Sequence, residues 1–312
     1  MELAIHIRNI EHATAFCDLP NHIATLYAEK QDWSALMPSD TFLMPSDTFR
    51  IYIGDEFCIH RLPHPAELAA LVQLATEKRW QLTLLTPPLS DAGLETCKRL
   101  FDYLQQETSQ TEVVVNDWGV LLYLEKNYPS FELSAGRLLN KGFKDPRLPN
   151  ASNASQFSDE TASLFNHGTF DFPGFQQTLS DFQVRRIERD VLPYEDLKKK
   201  RLNGLSTSIY FPYGYITTGR ICWIASFNER ERRRFRIADG CQRRCNQLSL
   251  RLKHDQTSMK LFQEGNTIFY RYSLSTSHRL VTMAKQNRFR LIYQGFAIPG
   301  SEARRGGSDR DL

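Results

Sequence analysis

Six cysteines, at positions 17, 58, 97, 222, 241 and 245, are the residues of this chain best able to do chemistry. Cys241 and Cys245 form a C-x3-C pair in DGCQRRCNQ, and Cys222 lies upstream in GRICWIA. Cys58 sits just past a predicted strand in IYIGDEFCIHR. In a parallel barrel every strand C-terminus opens on one face. Cys58 follows the second predicted strand and the other three follow the seventh, so all four thiols can meet above the mouth. Four thiolates suit a [4Fe–4S] cluster or structural zinc. Zinc sites commonly use two tight C-x2-C knuckles, whereas these ligands are spread, which favours the cluster. The third reading is four free, partly buried thiols that pack as small hydrophobes. Cys17, in HATAFCDL, and Cys97, in GLETCKRLFDYL, read as packing residues.

Other candidates stand at predicted strand ends. Arg61, three residues after Cys58, suits an anionic substrate or a negatively charged cluster, or else a salt bridge at the rim. Asn116 and Asp117 close the fourth strand as catalytic groups or as turn formers. The exposed Trp118 and flexible Gly119 that follow favour function. Arg137 follows the fifth strand and is a third catalytic candidate. Glu188 ends the sixth, where an ion pair with Arg185 or Arg189 is the expected role. Tyr210, Tyr213 and Tyr215 (IYFPYGY) form core or line a pocket for a ring-shaped substrate, with Tyr213 as the candidate contact. The run RERRRFR, 230–236, suits RNA binding but is more commonly a solvated helix face. No Ser-His-Asp or Cys-His arrangement is legible, and no H-E-x-x-H occurs.

These residues are positioned by short β-rich runs alternating with helical ones. Strands are expected at 3–7, 49–53, 81–86, 112–115, 130–135, 183–188, 207–211 and 288–293, with helices at 65–78, 92–108 and 119–126. Such alternation predicts an α/β protein with a (β/α) TIM-like barrel, complete or distorted, carrying a cysteine-bearing insertion near 219–280 before the last strand. An open doubly wound sheet is the competing architecture. One domain is expected over 1–299. A polar excursion occupies 150–174, and 300–312 reads as a disordered tail. The heptapeptide LMPSDTF occurs twice in tandem over 36–49, which suits a duplication in a surface loop.

The 312 residues are 41% hydrophobic and 24% charged, which excludes a collagen, a disulfide-rich toxin and a mostly disordered chain. Net charge is only +3, so bulk charge names no partner. No run approaches the length of a membrane helix, and MELAIHIRNIEH reads as no secretory signal. A cytoplasmic location is therefore expected, where clustered thiols hold metal more often than they form disulfides.

IYIGDEFCIHR resembles the Y-x-G-x-x-x-C-x-x-R motif of the collagenase-like peptidase family U-thirty-two, and is most similar to its oxygen-independent ubiquinone-biosynthesis branch, UbiU and UbiV. VVVNDWGVL resembles the family's strand and N-D-x-G turn, GRLLNKGFKDPRL its R-L-L…K/R-D-P-R segment, and GRICWIA with CQRRC its later cysteines. The likeness runs over most of residues 1–270. It implies a [4Fe–4S] cluster on Cys58, Cys222, Cys241 and Cys245. It also implies a part in hydroxylation without dioxygen, beside a heteromeric partner of the same family. Relatives hydroxylate RNA bases, some of them with prephenate as the hydroxyl source, and others are described as collagenases. A small carboxylate such as prephenate would suit Arg61 and Arg137. The stretch between Cys222 and Cys241 is longer than in the branch and carries ERERRRFR, which leaves the substrate open.

Overall fold

The structure is a computed structural model that describes residues 2–7, 49–108, 110–148, 157–193, 195, 204–227, 229–234, 236–237, 241–246 and 248–294. Eight parallel strands close into a barrel: β1 (Glu2–Ile7), β2 (Arg50–Gly54), β3 (Gln81–Leu85), β4 (Glu112–Val115), β5 (Glu132–Ala135), β6 (Val184–Arg189), β7 (Ser206–Phe211) and β12 (Arg290–Gln294). They are the eight strands expected from the sequence. Closure comes from β12, which pairs with β1 (Leu3 opposite Leu291) and with β7 (Leu291 opposite Ile209).

Alternation along the strands sorts the side chains. Leu3, Ile5, Ile7, Ile51, Ile53, Leu84, Val113 and Val115 join the main core beneath the helices. Ala4, Tyr52, Leu85, Val114, Tyr210 and Ile292, from six different strands, form a second buried cluster inside the barrel. The barrel floor below it is ionic. Arg290 Nη1 donates to both Glu112 oxygens (2.7 and 2.9 Å), and Arg50 Nε donates to Glu2 (2.9 Å).

The covering helices follow their local signals. Helix α1 (Pro65–Lys78) starts on proline and buries Leu68, Leu71, Val72 and Ala75, a stripe at helical spacing. Helix α2 (Asp91–Glu107) is capped by Ser90 and buries Cys97 with Leu100, Phe101 and Leu104, so Cys97 packs as expected. Helix α3 (Trp118–Asn127) starts at Asp117. The described part of the 150–174 stretch is more regular than a loop: it holds α4 (Asp159–Phe165) and leads into α5 (Pro173–Asp181). Its polar composition is that of an exposed helix, with Leu164 itself 68% exposed.

The insertion before the last strand is a sheet, which the sequence reading did not foresee. Strands β8 (Tyr213–Thr218), β9 (Leu250–Leu252), β10 (Leu261–Glu264) and β11 (Thr267–Arg271) pair antiparallel in the order β8-β11-β10-β9. Between β8 and β9 lies the short helix α6 (Trp223–Ser226), and helix α7 (Leu274–Asn287) returns the chain to β12. Gly265 and Asn266 make the β10–β11 hairpin turn, with Gly265 at φ +57°. Nearly all of the tandem repeat, Cys17 and the 300–312 tail lie outside the described residues. No described helix is long and apolar enough to cross a membrane.

Candidate metal centre

The segment after β2 is built to present one thiol. Gly54 (φ +93°) ends the strand where any Cβ would stand 2.5 Å from the Leu85 carbonyl oxygen, so only glycine fits. Asp55 Oδ1 then accepts the Phe57 and Cys58 amides, each at 2.8 Å, and turns the chain over the mouth. Cys58 precedes a 3₁₀ turn, Ile59–Arg61. Arg61 folds back, its Nη1 3.2 Å from Asp55 Oδ2 and its Nη2 3.3 Å from Glu264 Oε1. Each fixed position of Y-x-G-x-x-x-C-x-x-R thus has a physical task, Tyr52 being the residue that points into the barrel.

The other three thiols come from the insertion. Cys222 is the N-cap of α6, and its Sγ accepts the Ala225 amide at 3.4 Å. Cys241 Sγ accepts the Arg243 amide at 3.4 Å, and Arg243 Nη2 donates to the Leu62 carbonyl (3.0 Å), next to Arg61. Cys245 is buried in a 3₁₀ turn, Arg244–Asn246. Gly265 packs against it: a Cβ there would stand 3.8 Å from Cys245 Sγ and 4.0 Å from Arg61 Nη1.

Electrostatics link the four. Burial lowers the basicity of Arg61, but Asp55, Cys245, Cys58 and Cys222 together more than offset it. One guanidinium therefore feels three of the thiols. Cys222 is pushed up by burial and by the charges of Cys245 and Cys241, which brings in the fourth. Burial and Asp55 push the Cys58 thiol up to about 12. A thiol of that kind is no nucleophile at neutral pH, whereas a metal ion deprotonates its thiol ligand outright. Among the described residues no three His, Cys, Asp or Glu side chains are gathered closely enough to hold a metal ion as they stand, so binding one requires these thiols to close in.

The remaining candidates have structural partners. Asn116 Nδ2 donates to the Thr86 carbonyl (2.9 Å), and its Oδ1 accepts the Leu138 amide (3.1 Å). Asp117 caps α3 by accepting the Val120 amide (2.8 Å) and holds the preceding loop through the Leu89 amide (2.9 Å). Both side chains do the work of turn formers. Trp118, 38% exposed, rests its ring edge-on against Phe175 and Phe182.

Arg137 is fully buried. It makes a two-pronged pair with Glu56, donates to Gln294 (3.2 Å), and lies 3.6 Å over the Tyr210 ring and 5.3 Å from that of Phe57. Its guanidinium is thus occupied by a carboxylate and covered by aromatic rings. Tyr213 packs edge-on against Phe262 in a buried cluster with Phe57, Leu138, Tyr215 and Phe269, between the inserted sheet and the mouth. Tyr210 is separate from it, inside the barrel.

Glu188 corrects the expected ion pair. Its oxygens accept the Tyr52 and Tyr210 hydroxyls (2.8 and 2.7 Å), while Arg189 pairs with Asp171 and Glu195. Inward and outward residues alternate on β6, so Glu188 cannot reach its neighbour. Burial, with Glu56 and Glu112 nearby, pushes its carboxyl up to about 8.

Sequence reasoning also passed over Glu56, Asp190, Lys144 and Glu264. Lys144 Nζ lies 3.3 Å from Asp190 and 3.5 Å over the Tyr215 ring, and burial brings its amine down to about 8. It stands in the GRLLNKGFKDPRL segment, which was the one signal for it.

No family model and no curated protein matches the chain. Among solved structures, the U32 peptidase Mk0906 aligns with 67% of this chain and 68% of its own, at 12% identity and a TM-score of 0.37. A likeness that loose carries no argument about activity.

Proposed function

We propose that this chain is an iron–sulfur protein of the U-thirty-two kind, with Cys58, Cys222, Cys241 and Cys245 holding a [4Fe–4S] cluster at the C-terminal mouth of the barrel. The observation that carries this reading is Arg61, a buried cation held by Asp55 and Glu264 and acted on by three of the four thiols. A thiolate-ligated cluster is anionic, and a fixed guanidinium beside it offsets that charge. Two of the sulfurs already accept backbone amides, a bond that tunes such centres. The donor set is also the right one chemically, since soft thiolates select iron–sulfur clusters and zinc. A single zinc ion draws its thiolates to about 2.3 Å each, whereas a cube carries them on separate corners and needs less closing of the loops.

With a thiolate on every iron, such a cluster supplies one-electron transfer or a structural clasp. The chain's own residues supply the setting. Asp55 orients the Cys58 loop, Arg61 ties it to β10, and Phe57, next to Cys58 in the chain, anchors the loop in the buried cluster with Tyr215 and Phe269. Following the sequence resemblance, the process served is a hydroxylation that needs no dioxygen, carried out with a partner subunit of the same family on or with a small carboxylate. RNA-base hydroxylation is the alternative within the same chemistry. A collagenase-like peptidase is the remaining alternative; burial and Asp55 push the Cys58 thiol up, which does not suit it to be the nucleophile of such a reaction.

The deciding experiment is purification without oxygen. The protein is expected to be brown and to hold about four irons and four sulfides per chain. A colourless protein carrying stoichiometric zinc after anaerobic reconstitution would overturn the reading.

A further inference from the structure

Helix α6, capped by Cys222, starts with an outward-facing apolar side chain, and others follow it along the chain. Trp223 is 62% exposed and Phe227, one turn on, is 53% exposed; Ile237, further along the same segment, is 48% exposed. Exposed apolar groups of this size in one short segment mark a contact surface. The same segment is basic, with six arginines against two glutamates over 220–237. Arg220, Arg230, Arg232, Arg234 and Arg236 are exposed. The Glu229 amide donates to the Ser226 carbonyl (2.9 Å), and Arg234 Nε donates to the Glu229 carbonyl (3.0 Å), which folds the arginine run back against the end of α6. Exposed aromatic side chains and exposed arginines thus follow a half-buried thiol within one short segment of definite charge.

We infer that this segment docks a small acidic protein that carries a one-electron redox group. Trp and Arg are favoured at interface centres, and opposite charge steers the encounter. The inference rests on the iron–sulfur reading. Cys222 is the N-cap of the helix that carries Trp223, so a carrier docked there would stand next to one of the four thiols. One electron leaves the reduced carrier and one is gained by the centre; no bond is made or broken. RNA would also bind arginine and stack on aromatic rings. The carrier is favoured because the exposed aromatic and basic residues are confined to one short segment that starts at a thiol of the proposed centre.

The test uses the full chain, purified anaerobically, with a plant-type [2Fe–2S] ferredoxin as the probe. Binding is measured by calorimetry at low and high salt. Reduction is followed by stopped flow with reduced ferredoxin and, separately, with dithionite. Two variants are compared, Trp223→Ser with Phe227→Ser, and Arg230→Glu with Arg234→Glu. Ferredoxin binding and the ferredoxin-driven rate are expected to fall about tenfold or more in each variant, and binding to weaken with salt. Iron content and the dithionite rate are expected to stay at the parent level. The proposal is overturned if the parent does not bind ferredoxin, or if both variants bind it as the parent does. It is equally overturned if the variants instead lose a salt-sensitive affinity for tRNA. Iron analysis is read first. If the chain holds no iron, the iron–sulfur reading falls by itself, and calorimetry alone decides the surface: salt-sensitive ferredoxin binding lost in both variants upholds it, and any other result overturns it.

Discussion

Arg61 and Glu264, 203 residues apart in the chain, meet at 3.3 Å and clamp the Cys58 loop onto the strand that ends beside Cys245. The pair is buried, so removing one partner leaves an uncompensated charge. Arg61→Ala is therefore expected to lower iron per chain by more than half, and Arg61→Lys to restore part of it, since lysine keeps the charge but not the fork. Iron analysis after anaerobic purification checks this. Full iron in both variants would make Arg61 a rim salt bridge and nothing more.

Ligands and bystanders separate by substitution. Ala at Cys58, Cys222, Cys241 or Cys245 is expected to abolish or degrade the cluster. Cys97→Ala is expected to keep it, because Cys97 lies in the buried stripe of α2, and to cost roughly 1 kcal/mol of packing. Visible absorption and iron content, read beside a thermal melt, distinguish the two classes. Loss of iron from the Cys97 variant alone would show the ligand set to be wrong.

Arg137 is expected to act through stability. Arg137→Ala strands Glu56 in the interior and is predicted to cost about 3–5 kcal/mol. Arg137→Met together with Glu56→Gln is expected to recover much of that loss. Urea unfolding measures both. A single variant that folds as stably as the parent yet loses activity would make Arg137 the catalytic group that its place after β5 suggested.

Glu188 predicts a pH dependence. Its carboxyl ordinarily ionises near 4.5 and in the fold is pushed up to about 8, mainly by burial. Between those values the folded chain holds a proton that the unfolded chain has lost. Its contribution is complete below about pH 4.5 and is lost as pH rises through about 8. Glu188→Gln stays neutral throughout, so its stability is expected to fall less from pH 5 to 8, by on the order of 3 kcal/mol. Lys144, brought down to about 8, acts in the opposite sense at higher pH, which is why the comparison stops there. Parallel urea curves for parent and variant across this window would refute the assignment.

Much of the barrel is legible in single segments. FRIYI stops at Gly54, QLTLLT at two prolines and EVVV at Asn116-Asp117, and each boundary is set by chemistry within a few residues. The helix caps at Ser90 and Asp117 are equally local. The candidate thiols are legible too, because a parallel strand fixes which end its following loop occupies, whatever the distance along the chain. The inserted sheet left a fainter trace. LFQEGNTIFYRY alternates around a Gly-Asn turn, but its partner β8 lies far upstream, and such pairing has no local signal. The side-chain partners are a matter of tertiary structure alone. Nothing in RRIERDV distinguishes a Glu188 paired with a neighbouring arginine from one held by Tyr52 and Tyr210, since that choice depends on which way β6 faces once the barrel closes. Arg137 follows a strand end just as Arg61 does. Closure buries it against Glu56 and Tyr210, while Arg61 is carried out to the thiols by the turn at Asp55. A strand end determines the face of the barrel that a residue reaches, and packing against distant strands decides what it meets there.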